Sequence, residues 1–224
     1  MEYDIDTLEK AFYELVESFD YVSTDEIPDI ELYMDQVTTF MDRRLSPSAR
    51  DPENDKILTK TMINNYAKSG LMIPPVRKKY GMDQMVLLLF IYYMKSFLSI
   101  GDIRTVLDPL KDLCGASDAG KGSQRGKAAK GSDKAAKEAK YSLREIYEEI
   151  YGNLGKSMQA VVSSAAAQFE EARHSFPEAD SDDRDLLQCF DLLCRMSADI
   201  YIRKLFIERM IDRYFDENKK GRQE

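Results

Sequence analysis

"KILTKTMINNYAKSGLMIPPVRKKY", Lys56 to Tyr80, holds six basic side chains and no Asp or Glu. The whole chain has 32 Lys and Arg against 40 Asp and Glu, a formal net charge of −8. Residues 1–55 alone carry 4 bases and 16 acids. A carboxylate-free basic island in an acidic chain suits a surface that meets phosphate locally, while the acidic total opposes indiscriminate polyanion binding.

The same stretch is punctuated. Thr59 or Thr61 can cap a short helix, "TMINNYAKS", which Gly70 stops. Pro74 and Pro75 forbid helix and favour an extended arm, on which Arg77, Lys78 and Lys79 follow. Working outward, the spacing predicts helix nearly everywhere else. Residues 5–19 form an amphipathic helix, and 30–44 repeat the pattern through Leu32, Tyr33, Val37, Phe40 and Met41, with Pro28 near its start. Residues 46–55 are a loop. Asp83 opens a helix reaching about Phe97, and Ser99 caps another. The most apolar window, Met85 to Met94, is far shorter than the roughly 20 residues a bilayer needs, so it reads as a helix buried on most sides.

Residues 115–140 are poor in apolar side chains and rich in Gly, Ser, Ala and Lys, the composition of a linker. That linker is either a solubilising spacer or a second DNA contact. Helix resumes from Tyr141 to about Phe176, with a break expected at Gly152–Gly155. A last helix runs from Leu186 to Phe215. Its apolar residues, among them Met196, Ile200, Phe206, Ile207 and Met210, occupy more than one stripe. It is therefore either the centre of a bundle or a subunit interface. The fold class is all-α, with one small β-like arm.

On the short helix, Asn64 and Asn65 suit bidentate contact with adenine, and Lys60 and Thr61 suit phosphate or a thymine methyl group. Lys68 follows one turn past Asn64. Tyr66 and Tyr80 read as core. Cys114, Cys189 and Cys194 are odd in number and lack zinc-like spacing, so they read as reduced, mostly buried thiols of a cytosolic protein. The N-terminus carries no secretory signal pattern. The sole histidine, His174, lies near a helix end and has no nucleophile to serve. Carboxylate runs such as "YEEIY" read as solvated faces. No catalytic residue, metal site or cofactor is expected, and an enzyme has no residues to stand on.

Between Leu58 and Leu110, the order "INNYAKSGLMIPPVRKKYGMDQMVLLLFIYYMKSFLSIGDIRTVL" resembles the winged helix-turn-helix of MerR-type transcription regulators. Asn64 stands where those regulators carry Arg. More closely, residues 26–110, with "IPDIELYMDQV" before "LTKTMINNYAKSGLMIPPVRKKY", resemble a bacterial family of uncharacterised proteins, domain of unknown function eighteen thirty-six. The resemblance implies a recognition helix and a wing. Together with the charge pattern it makes Thr59, Lys60, Thr61, Asn64, Asn65, Lys68, Arg77, Lys78 and Lys79 the expected DNA-facing residues.

The expected organisation is an N-terminal amphipathic helix at 1–25, a MerR-like helix-turn-helix domain at 26–113, a basic linker at 114–140 and a C-terminal helical domain at 141–217. The expected function is binding of double-stranded DNA by a cytoplasmic bacterial transcription regulator. It would dimerise through the C-terminal helices and have no membrane span. The alternative is a helical protein–protein interaction module that keeps the helix-turn-helix shape without DNA binding.

Overall fold

The computed structural model describes residues 4–115 and 140–216, so most of the expected linker lies outside the described residues. Seven α-helices are described: α1 (Ile5–Ser18), α2 (Met34–Leu45), α3 (Lys60–Lys68), α4 (Met82–Met94), α5 (Ile100–Leu113), α6 (Leu143–Arg173) and α7 (Ser181–Met210). Two short strands, β1 (Leu32–Tyr33) and β2 (Lys79–Tyr80), pair antiparallel with Leu32 opposite Tyr80 and Tyr33 opposite Lys79. The chain divides into two compact units. One comprises residues 22–150 and 210 onward, the other residues 1–21 with 151–209.

The first unit is built around α4. Its run from Met85 to Ile91 is buried on every side, and Ile63, Tyr66, Leu71, Tyr80, Ile103 and Leu107 are buried with it. A helix that is apolar all round has no solvent face to offer and therefore sits in the middle. Local chemistry sets the surrounding boundaries. The Thr59 hydroxyl accepts from the Met62 amide at 3.1 Å and starts α3. Gly70, at φ +76°, lets the chain leave it. The Ser99 hydroxyl accepts from the Asp102 amide at 3.1 Å and starts α5. The start of α6 also belongs to this unit. The Tyr147 hydroxyl donates to the Val22 carbonyl at 2.7 Å, and its ring meets Phe90 edge-on at 5.4 Å. The turn Ile211–Phe215 packs on α5.

The second unit holds α1 against the long helices. Phe12 and Phe169 meet at 5.9 Å, in a core of Ile5, Ala165, Phe169, Ala172 and Leu192. The Arg173 guanidinium donates to Asp6 at 2.8 Å and to Glu9.

Three expectations need correction. Residues 30–33 are not helical, because Leu32 and Tyr33 are drawn into the strand pair with β2, and α2 begins only at Met34. There is no break at Gly152–Gly155, and α6 runs from Leu143 to Arg173. Two mid-helix glycines cost about 2 kcal/mol together, less than burying Tyr147 on one side and Phe169 on the other contributes. The cysteines are free but not mostly buried: Cys114 and Cys189 are half-buried and Cys194 is exposed. The tyrosine assignments agree with the structure, since Tyr66 and Tyr80 are both buried.

Candidate nucleic-acid interface

On α3 the buried positions are Ile63 and Tyr66, which belong to the core of this unit, and the helix packs on α2. Lys60, Thr61, Asn64, Asn65 and Lys68 are exposed, and their spacing puts them on one face opposite that core. No carboxylate interrupts the helix. Thr59 is half-buried, and its hydroxyl is already committed to the helix cap. It therefore shapes α3 rather than standing on the polar face.

Pro74 and Pro75 lead into a two-residue hairpin. Val76 and Lys79 exchange backbone hydrogen bonds of 3.1 and 2.9 Å, and the residues between them are Arg77 and Lys78. Both have positive φ, 51° and 65°. Positive φ at both central positions defines a type I′ turn, normally the territory of Asn-Gly. Two long cationic side chains at a site made for Asn and Gly hold the backbone in a region L-residues avoid, at about 1–3 kcal/mol each. Arg77 and Lys78 are exposed at the tip.

The two basic elements converge on the start of α2. Lys60, at the N-terminus of α3, pairs with Asp35 in the first turn of α2. Lys79, at the base of the hairpin, lies 3.4 Å from Glu31 and over the Tyr33 ring at 5.7 Å. Two expected DNA-facing cations are thus paired with acids. Both acids belong to the acidic segment 1–55, as expected if that segment pairs with the basic island, although its charge count alone does not single them out.

Two lysines outside the basic island fix α3 at both ends. The Lys95 ammonium of α4 donates to the Ile57 carbonyl at 2.7 Å, just before α3, and burial pushes its pKa below the usual lysine range. The Lys111 ammonium of α5 is buried, donates to the Gly70 carbonyl at 2.7 Å and lies 2.6 Å from Asp108. Cations at a helix C-terminus complete its unpaired carbonyls. Replacing Lys111 by Met should lower stability by about 1–3 kcal/mol, because the carbonyls beyond α3 lose their donor. Urea unfolding followed by circular dichroism measures this, and an unchanged midpoint would show that Lys111 does not hold α3.

With this geometry in view, the chain can be set beside known families. Residues 22–122 match the family described as Domain of unknown function (DUF1836). No curated protein and no solved structure matches the chain. The DUF1836 match covers α2 to α5 and the hairpin, and so the whole of the basic island with Lys95 and Lys111. It stops before Tyr147, which completes the same core. Among the described residues no group of three or more His, Cys, Asp or Glu could hold a metal ion, and no helix is long and apolar enough to cross a membrane.

Proposed function

We propose that the chain is a sequence-specific double-stranded DNA-binding protein, a bacterial cytoplasmic transcription regulator. It uses a MerR-like winged helix-turn-helix in which α3 reads base edges and the hairpin is the wing. The observation that carries the reading is the exposed face of α3, which has no carboxylate of its own, together with a hairpin whose tip is two cations. Asn64 and Asn65 supply the donor–acceptor pairs that adenine accepts in the major groove. Lys60, Thr61 and Lys68 flank them for phosphate, and Arg77, Lys78 and Lys79 extend the phosphate contact beyond the helix. A second copy joins through the C-terminal helices, doubling the contacts on a two-fold site.

A salt titration on duplex DNA tests this. Each phosphate neutralised contributes about −0.9 to the slope of log K against log salt, so reversing Lys78 and Lys79 to Glu should make the slope shallower by about 1.8. Absence of binding at low salt would remove the proposal. Asp35→Asn should raise affinity about threefold, by freeing Lys60 and removing a charge that opposes phosphate. A fall in affinity would mean that Asp35 orders the interface instead.

The second reading is a protein-binding module. Its support is that Asp35 and Glu31 already engage Lys60 and Lys79, leaving a mixed-charge face of the kind protein partners meet. Flat salt dependence would favour it.

A further inference from the structure

α7 packs Leu192 and Met196 into the core and leaves the side opposite Leu192 bare. Leu186, Phe190, Leu193, Ile200 and Tyr201 lie along that bare side, the last four between 58% and 64% exposed. Cys194 is exposed among them. At 3.6 residues per turn these positions form one stripe, bounded by Asp183 at its start and Lys204 at its end. Soluble chains rarely leave so continuous an apolar surface uncovered.

The stripe is complementary to itself reversed. About a point between Leu193 and Cys194, Leu186 stands opposite Tyr201, bulky Phe190 opposite small Ser197, and Asp183 opposite Lys204. Run in parallel, the same stripe would set Phe190 on Phe190 and Asp183 on Asp183. A two-fold contact demands a patch that complements itself, and here both ends pair acid with base. Antiparallel pairing also sets each helix dipole against its opposite. Lys204 already holds Glu208 one turn on, and can share its three donors between the two carboxylates.

We propose that a second copy of this chain covers the stripe, α7 against α7 antiparallel, with the two-fold axis between Leu193 and Cys194. This specifies the dimer of the reading above and needs no DNA contact, so each can fail without the other.

The test uses the full chain. Light scattering should give twice the 25.8 kDa monomer. Mild oxidation or a short bis-maleimide should link Cys194 to its own copy, and Cys194→Ser should abolish the product. Asp183→Lys and Lys204→Asp, made singly, should each weaken dimerisation about tenfold, since each places like charges together twice per dimer. The double exchange should restore it, with helix content by circular dichroism unchanged throughout. A monomer at high concentration would overturn the proposal. So would a dimer that resists Cys194 linkage and is indifferent to the charge exchange. Duplex binding measured on the same samples stands or falls on its own.

Discussion

Replacing Tyr147 by Ala is expected to cost about 3–5 kcal/mol, enough to unfold much of a typical domain. The side chain is only 1% exposed, fills space against Phe90 and satisfies the Val22 carbonyl. Truncation leaves a large cavity and a buried acceptor without its donor. Tyr147→Phe keeps the packing and should cost about 1–2 kcal/mol, the share of the hydrogen bond. Urea unfolding followed by circular dichroism separates the two, since the chain has no Trp to report by fluorescence. The same argument applies to a fragment of residues 22–122, the span of the family match. Lacking Leu143 and Tyr147, which are both buried in the full chain, it should be less stable than the whole protein. A fragment of equal stability would show that the start of α6 is dispensable to this core.

Exchanging Arg77–Lys78 for Asn-Gly should move stability and DNA binding in opposite directions. Asn and Gly accept positive φ readily, so the turn relaxes and the protein gains about 1–2 kcal/mol. Two cations leave the tip at the same time, and duplex affinity should fall at least about tenfold, with a salt slope shallower by about 1.8. A gain in stability with unchanged affinity would take the hairpin tip out of the interface. A loss of stability would mean the turn is not strained. Residues that cost folding energy and persist at an exposed tip are where function is to be sought, because packing does not require them.

What the sequence disclosed follows the range of the interactions involved. Thr59, Gly70 and Ser99 mark element ends through contacts within three residues, so their roles were legible. Tyr66 and Tyr80 were legible because they stand toward the ends of the short helix and of the arm, where the chain turns back onto its core. The exposed face of α3 was likewise implied by its spacing. The type I′ turn was not, since "VRKK" contains neither Asn nor Gly and its geometry is imposed by pairing Val76 with Lys79. The roles of Lys95 and Lys111 were not legible, because their carbonyl partners lie some 40 positions away. Tyr147 sits in a run that looks solvated. Its helical period says which stripe is apolar, but not which core receives it.

The division of the chain has a consequence in time. α1 is made well before its partners, since Phe169, Ala172 and Leu192, which form its core, come from α6 and α7 some 150 or more positions later. At about 5–20 residues per second, synthesis leaves α1 waiting on the order of ten seconds with its apolar side uncovered. The other unit waits too, since Ile211, buried and packed through its turn on α5, is among the last described residues. Neither unit can close before α7 and the turn after it have been made, so both cores complete only once synthesis has passed Ile211. A chain cut short anywhere before α7 leaves both unfinished.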